Sequence, residues 1–464
     1  MCLAIFALVF LTHCLSPNAT PFDSRWTVYT AQSLLHEGNA DLNEFHPALR
    51  EQDYYAIECV GPDYKRTYPV DFAAPCVGMR FYNFYPVAVP TLAAPVVFVL
   101  ERTIAVLQPW LAPIAERMPT EVRRAFLKGD LIRSSAFVEI LVASLIIALA
   151  AVVMYGMARE VVSPARALIA AFVFAFCTSA WSTGSRALWQ HGPSMLLIGI
   201  AVWLALVARR RPEVVQYIGA PLMLALFVRP TNIVPLAGFT VFVWICFRRS
   251  FVRFALWAAP IAIGFCLASD VTYGTILAPY AFAKRVNAPG LGVHPEMWAA
   301  FTGNMISPAR GLLVFTPIVL LCLYGLFRRA SDPYERALKA LMIAIIGGHW
   351  LLITLYEDWW GGHSFGPRYF SDLTPVFVYL LTPSIALLFR RSQGKHTVAF
   401  VALAAISFFI HLRGATAWAT MEWNMSPSIR DYPGRIWDWR DLQFLRGLGD
   451  SPGSPEPAPA RVAE

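Results

Sequence analysis

A carboxylate and several arginines stand at the ends of long apolar runs, where an ionised side chain is costly unless it has a partner or a role. Asp23 follows the first apolar run, in the tripeptide Pro21-Phe22-Asp23. Arg368 lies in the segment EDWWGGHSFGPRYFSDLTP (357–375), after a Gly-Pro pair and before another apolar run. A rigidly held guanidinium suits bidentate phosphate binding, and a carboxylate can accept a proton from an attacking hydroxyl. These residue types suit group transfer from an anionic, lipid-linked donor.

Other polar residues lie at similar positions, and each has a structural alternative. Arg229 in FVRPTNIVP and Arg310 in NMISPARGLLVFTP either bind the same phosphate or anchor a helix end at the membrane boundary. His191 in GSRALWQHGP is either a substrate contact or a hydrogen-bonded structural residue. Asp23 has the alternative of capping a helix, which is compatible with catalysis because a cap also fixes the carboxylate.

The segment 357–375 is richer in aromatic and glycine residues than a plain connection requires. Trp359 and Trp360 either belong to the aromatic belt of a membrane interface or stack on a sugar ring or prenyl chain. The belt accounts for the tryptophans but not for Gly361-Gly362 or for the fixed arginine. We therefore predict that the segment contacts substrate through Trp359, Trp360, His363 and Tyr369.

The composition indicates a membrane protein. The 464 residues are 57% hydrophobic and 15% charged, whereas a soluble chain carries about 25% charge. Several apolar runs exceed the roughly 20 residues that cross a bilayer as a helix. The net charge of +8 comes largely from arginines in short breaks between those runs, so it indicates helix orientation and not nucleic-acid binding. We predict an all-α polytopic membrane protein.

The apolar runs predict about eleven transmembrane helices, and the arginines predict their orientation. Clusters at 209–211, 248–249, 328–329 and 390–391 fall in alternate connections, which the positive-inside rule assigns to the cytoplasm. The other connections, with Asp23 and Arg368, then face outward. The predicted crossings are 1–16, 134–157, 166–183, 191–208, 214–228, 231–247, 253–269, 311–327, 338–356, 372–390 and 397–411.

These crossings divide the chain into a transmembrane domain, 1–411, and a short extracytoplasmic tail, 412–464, which we expect to be disordered from about 450. The domain includes a large first outer loop, 17–133. Hydrophobic residues at helical spacing predict a surface helix there that ends at Gly38. The stretch 85–111 is apolar enough to insert, and the orientation requires it to be either interfacial or a hairpin that crosses twice. Cys59 and Cys76 share this loop and form a disulfide if it faces an oxidising compartment; the alternative is two unpaired thiols.

The chain resembles the GT-C membrane glycosyltransferases, which use polyprenyl-phosphate sugars. It is most similar to the bacterial branch related to protein mannosyltransferases and aminoarabinose transferases. The resemblance rests on PFDSRWTVYTAQSLLHEGNADL, which looks like that family's acidic first loop, and on YNFYPVAVPTLAAP, WWGGHSFGPRYFSDLTP and RIWDWRDLQFLR. It extends over roughly residues 1–445 and implies a GT-C-like fold with interfacial helices in the first loop.

The resemblance implies inverting transfer of a sugar from a polyprenyl phosphate to a saccharide, lipid or protein hydroxyl, at the outer face of a bacterial inner membrane. Asp23 would be the base, and Arg368 would bind the donor phosphate, with Arg229 and Arg310 as weaker matches. Many relatives have two adjacent acids where this chain has Asp23 followed by Ser24. The missing second acid keeps a catalytically inactive family member as an alternative, and a transporter or flippase of lipid-linked saccharides without chemistry is another. No His/Asp cluster has metal-ligand spacing, and the sequence leaves a divalent metal open.

Overall fold

The protein is largely helical in the part of the chain that the computed structural model describes, residues 1–67, 76, 78–278, 280 and 291–449. Helices suit apolar segments in lipid because each satisfies its own backbone hydrogen bonds. The helices are α1 (Cys2–Leu15), α2 (Thr27–His36), α3 (His46–Glu51), α4 (Ala88–Ala115), α5 (Glu121–Leu127), α6 (Ser135–Arg159), α7 (Pro164–Phe176), α8 (His191–Ala208), α9 (Gly219–Val228), α10 (Ile233–Cys246), α11 (Phe251–Tyr273), α12 (Met297–Ile306), α13 (Leu312–Phe315), α14 (Cys322–Phe327), α15 (Pro333–Thr354), α16 (Thr374–Ile385), α17 (Gly394–Thr416) and α18 (Ala419–Glu422).

Six helical segments in the described residues are long and apolar enough to cross a membrane: α4, α6, α8, α11 with the turn before it, α15 and α17. The other predicted crossings correspond to shorter helices such as α1 and α7, each below the length for a full crossing. The structure therefore supports an α-helical membrane protein, and eleven crossings stay a prediction.

Helices α6 and α8 connect the two ends of the molecule. Helix α6 packs against α1, α7 and α8. It begins beside the turn that carries Asp23 and ends at Arg159, near the cluster that begins at Arg209. We call these two ends the Asp23 end and the arginine-rich end.

The predicted crossing at 311–327 is not one continuous helix. Helix α13 ends at Phe315, a 3-10 turn covers Pro317–Leu321, and α14 follows. The break releases the amide of Ile318 from a helical partner, and Ser407 Oγ on α17 accepts its hydrogen bond at 3.1 Å. A neighbouring side chain thus satisfies the freed backbone group, as burial in an apolar environment requires.

The loop predicted to face outward, 17–133, contains the predicted helix and a small sheet that the all-α prediction missed. Helix α2 covers the predicted positions, and Gly38 ends it at φ +69°. Strands β1 (Ile57–Val60), β2 (Arg66–Thr67) and β3 (Arg80–Asn83) form an antiparallel sheet in the order β2-β1-β3. Cys59 forms a disulfide with Cys76, their Cα atoms 5.9 Å apart. Strands this short give a weak periodic signal, which is why the sequence did not indicate them.

Helix α4 runs without a turn through the stretch whose course the sequence left open. The hairpin alternative is therefore wrong, although three prolines lie inside the helix. Gln32 and His36 of α2 both contact Glu101 Oε1 at 3.0 Å, so the two helices pack side by side. A Cβ at Gly129 would lie 3.6 Å from Ile104 Cγ2, which places the middle of α4 close to the start of α6.

The residues after α17 form part of the Asp23 end and not a loose tail. Trp423 is fully buried, its indole donates to the carbonyl of Asp441 at 3.0 Å, and it packs in one cluster with Trp359 and Ile436. The segment 357–367 is therefore covered by the end of the chain. The predicted disorder from about residue 450 lies outside the described residues.

Candidate active site

Asp23 and Arg368, the two residues given the main chemical roles, form an ion pair. Arg368 Nη1 lies 2.7 Å from Asp23 Oδ2, although 345 positions separate them in the chain. The Tyr55 hydroxyl donates to Asp23 Oδ1 at 3.2 Å. The side chains of Asp23 and Arg368 are 25% and 16% exposed, so a ligand can reach them without unfolding the surrounding loops.

The backbone that carries Asp23 is tied to the turn before α8. Arg186 is fully buried, and its Nη1 donates to the carbonyls of Ser16 at 2.7 Å and Asn18 at 3.2 Å. The Trp189 indole donates to the carbonyl of Thr20 at 2.9 Å. Arg186, which precedes His191 in the stretch GSRALWQHGP, thus fixes the chain between α1 and the carboxylate.

The structure also shows that Asp23 does not cap α2. The helix begins at Thr27, and the N-cap position is Trp26, which makes no side-chain capping hydrogen bond. The capping alternative is therefore wrong. The Asp23 carboxylate instead pairs with Arg368.

A second carboxylate, Glu139, contacts Ser24, the residue after Asp23, and was missed from the sequence. Ser24 Oγ and the amide of Leu188 donate hydrogen bonds to Glu139 Oε2, the latter at 3.1 Å. Its other oxygen, Oε1, is buried without a hydrogen-bond partner in the described residues. A glutamate inside the apolar run of α6 was the available signal, because ionisable groups in such runs are rarely without function.

The two glycines of the segment 357–375 shape the wall beside Arg368. Gly361 and Gly362 have φ values of +73° and +61°, which side-chain-bearing residues rarely adopt. A Cβ at Gly361 would lie 3.1 Å from Arg368 Nε, whereas a Cβ at Gly362 would have no neighbour within 4 Å. The guanidinium also lies over the rings of Trp189 and Tyr369, 5.0 and 5.4 Å from their centroids. The arginine is thus held on several sides.

A buried cluster formed by His191, Arg229 and Asp372 lies behind this ion pair. His191 Nδ1 is 2.8 Å from Asp372 Oδ1, and Arg229 Nη1 pairs with Asp372 Oδ2. The guanidinium of Arg229 lies 5.2 Å from the Tyr369 ring centroid, so Tyr369 contacts both arginines. Asp372 was not singled out from the sequence, since it resembles a helix-entry residue. Its pairing with Arg229 and His191 gives these two residues a structural partner.

Arg310 uses all five of its N–H donors on protein acceptors. They are the carbonyls of Trp360, Ala309 and Gly362 and the side-chain oxygens of Gln443 and Asn424. The residue is 1% exposed. A phosphate would have to displace several of these bonds, so the contacts favour the anchoring alternative, and we leave Arg310 out of the proposed donor site.

The tryptophans of the segment differ in environment. Trp359 is 2% exposed, and its ring packs near that of Trp437 with centroids 6.5 Å apart. It is therefore a core residue beneath the end of the chain and offers no open face to a sugar. Trp360 is partly buried, and its carbonyl accepts from Arg310. Substrate contact by Trp360 stays a prediction.

Several of the buried polar atoms that lack a hydrogen-bond partner in the described part of the chain belong to Arg368 and to residues near it. Four of them are Arg368 Nε, Asp358 Oδ1, His363 Nε2 and Gln190 Nε2. A buried polar atom left unpaired costs on the order of 1–3 kcal/mol, so such atoms usually bind water or a ligand. The group marks a place where a polar ligand would complete the hydrogen bonding.

The charge states of the loop residues differ in a way that bears on catalysis. Burial raises the pKa of Asp23, but the Arg368 guanidinium and hydrogen bonds from Tyr85 and Tyr55 outweigh it, so the pKa lies below its ordinary value. Burial raises the pKa of Asp358 above its ordinary value, although Arg368 and Arg430 oppose it. Asp23 is thus ionised while the pair is intact, and Asp358 takes up a proton more readily.

No group of three or more His, Cys, Asp or Glu side chains in the described residues could hold a metal ion. The sequence was also compared with families and proteins already characterised. No family model matches the chain, and no curated protein matches it.

Proposed function

We propose that this chain is an integral membrane glycosyltransferase that moves a sugar from a polyprenyl phosphate to an acceptor hydroxyl, with inversion at the anomeric carbon. The Asp23 end would face the outside of a bacterial cytoplasmic membrane, since the arginine clusters at the other end follow the positive-inside rule. The acceptor class, a saccharide, a lipid or a protein, is left open. The proposal extends the sequence resemblance to the GT-C glycosyltransferases.

The observation that carries the proposal is the contact between Asp23 and Arg368 at 2.7 Å, in a half-open site at one end of the helices. In one displacement reaction, a carboxylate can take the proton of the attacking hydroxyl while a neighbouring guanidinium stabilises the leaving phosphate. The unpaired atoms of Arg368, Asp358 and His363 beside them supply further partners for a sugar phosphate.

In this proposal, the donor phosphate displaces Asp23 from Arg368. The guanidinium then holds the phosphate and stabilises the charge that grows as the bond from the anomeric carbon to the phosphate oxygen breaks. Asp23 loses its cationic partner, so its pKa rises and it becomes a better base. The acceptor oxygen attacks the anomeric carbon, its proton passes to Asp23, and the polyprenyl phosphate leaves with the electron pair.

The test uses the full-length protein in detergent with a panel of radiolabelled polyprenyl-phosphate sugars and candidate acceptors, and it measures sugar transfer and release of polyprenyl phosphate. We expect Asp23→Asn and Arg368→Gln each to lower turnover by at least about 100-fold, the size typical for loss of a general base or an oxyanion-stabilising donor. Asp63→Asn and Arg440→Gln are the matched controls, because both residues are exposed and paired with near neighbours.

Asp358→Asn separates two assignments of the base. Retention of activity in Asp358→Asn with loss in Asp23→Asn supports Asp23, and the reverse result would transfer the role to Asp358. Transfer at the wild-type rate by Asp23→Asn and Asp358→Asn alike would refute carboxylate catalysis here. A flippase would move the labelled lipid across vesicles without releasing polyprenyl phosphate, and an inactive family member would do neither.

A further inference from the structure

A cavity of about 260 Å³ lies at the arginine-rich end of the molecule. It opens between the ends of α6, α8, α14, α15 and α16. Helix α8 begins at His191 in the candidate active site, and its 18 residues extend about 27 Å towards the cavity. The cavity is therefore distinct from the site proposed for sugar transfer.

The walls of this cavity carry an excess of positive charge. Arg209 pairs with Asp332, and Arg210 pairs with Glu160 at 3.0 Å. Glu335 then serves two cations, with Arg328 in direct contact and the Lys339 ammonium 3.8 Å away. Four cations thus face three carboxylates, Glu160, Asp332 and Glu335, which leaves one positive charge without a counter-charge among these groups.

Arg328 and Lys339 carry that excess and have hydrogen-bonding capacity left. Arg328 Nε is buried and has no hydrogen-bond partner in the described residues. The Lys339 side chain is 9% exposed, and its Nζ donates to the carbonyl of Arg328 at 2.6 Å. An ammonium has three donors, so an anion in the cavity would find unused N–H groups on both side chains.

The remaining lining is apolar and continues onto the surface. Leu206, Leu338, Leu380 and Pro383 contribute to the cavity wall. Val161, also in the wall, is 44% exposed. A ligand that fits this lining has an anionic group at one end and an apolar part at the other.

We propose that the cavity binds the phosphate headgroup of a phospholipid from the membrane leaflet at the arginine-rich end. A phosphodiester carries one negative charge, which matches the one uncompensated positive charge of the walls. Inorganic phosphate is also an anion, but it has no apolar part that would contact the apolar wall. Bound lipid would tie the end of α14 to α15, because the phosphate would share donors from Arg328 and Lys339.

The test is a titration of the detergent-purified full-length protein with dioleoyl phosphatidylglycerol, followed by native mass spectrometry. We expect saturable binding of one lipid, weakened at least about tenfold in Arg328→Gln/Lys339→Gln, since both charge-assisted hydrogen-bond donors to the phosphate are lost. Arg248→Gln/Arg249→Gln is the matched control, because these arginines lie at the same end and outside the cavity lining.

Ser331→Trp provides a second variant that keeps both cations and fills the cavity mouth from an exposed position. The proposal predicts loss of lipid binding there too, so misfolding of the double variant cannot decide the result alone. Equal lipid binding by the wild type, both cavity variants and the control would overturn the proposal that the cavity binds the headgroup. Binding of inorganic phosphate at millimolar concentration without saturable lipid binding would identify an anion site and overturn the lipid assignment.

Discussion

At the scale of single residues, the Asp23–Arg368 pair balances burial against charge. Burial alone would raise the pKa of Asp23, and the guanidinium beside it reverses the shift. The sequence predicted that the two residues lie at the same end of the molecule, and their side-chain types indicated a base and a phosphate ligand. It could not predict that they touch, because the contact depends on how α1 and the segment before α16 pack.

A double-mutant cycle on Asp23 and Arg368 tests this balance. Arg368→Gln should destabilise the protein at pH 7, because a carboxylate stays half-buried without its cation. Adding Asp23→Asn should recover about 1–2 kcal/mol, within the range for residues in direct contact. The measurement is the thermal unfolding midpoint in detergent, compared with the Asp63→Asn and Arg440→Gln controls. Strict additivity of the two changes would contradict the ion pair.

The same pair predicts a pH dependence. In the wild type the pKa of Asp23 is lowered, so its stabilising contribution is complete above the unfolded pKa of about 3.9 and is lost as pH falls through the folded pKa. In Arg368→Gln only the hydrogen bonds from Tyr85 and Tyr55 still oppose burial, so the pKa of Asp23 is higher than in the wild type and the stability deficit of the variant narrows on acidification. The stability gap between the two proteins should therefore shrink from pH 7 to pH 4.5, and a constant gap would contradict this assignment.

At the scale of elements, the segment 357–375 works as a shaped wall around Arg368. The sequence indicated that Gly361, Gly362 and the Gly-Pro pair fix the backbone, and the positive φ values agree with that prediction. What it could not indicate is that the chain after α17 covers this segment through Trp359 and Arg310. A Trp-Trp pair at a membrane boundary looks the same in sequence whether it faces lipid, sugar or a protein core.

Gly361→Ala and Gly362→Ala form a matched pair for this wall. Both substitutions place a side chain at positive φ, which costs about 1–2 kcal/mol of strain. A Cβ at Gly361 would also press on Arg368, whereas a Cβ at Gly362 meets open space. We expect similar melting points for the two variants and at least about tenfold slower transfer by Gly361→Ala. Equal transfer rates would show that the wall does not position the arginine.

At the scale of the whole molecule, hydropathy predicted the helical membrane architecture, because apolar runs in lipid have few alternatives to helix. It predicted less well where helices break. The segment 311–327 is interrupted at Pro317, which has no amide hydrogen to donate, and Ser407 accepts the hydrogen bond of the next amide, that of Ile318. Helix α4 has the length and apolarity of a crossing, but Ile104 lies near Gly129 and Glu101 contacts α2, so we predict that it lies along the Asp23 end.

Cysteine labelling tests this course of α4 and the orientation of the chain. A thiol at position 116, just after α4, should react with a membrane-impermeant maleimide from the same side as a thiol at position 63. A thiol at position 211 should react from the opposite side, because it lies at the arginine-rich end. The variants Glu116→Cys, Asp63→Cys and Arg211→Cys introduce these three thiols. Labelling of positions 116 and 211 from the same side would mean that α4 crosses the membrane.

The most direct test of the central claim, that donor phosphate takes the place of Asp23 on Arg368, is the affinity of the three proteins for polyprenyl phosphate. Asp23→Asn should bind it more tightly than wild type, since the guanidinium no longer has a competing carboxylate. Arg368→Gln should bind it at least about tenfold more weakly, as expected for loss of a charge-assisted pair. Unchanged affinity in both variants would contradict the account, because the phosphate would then bind elsewhere.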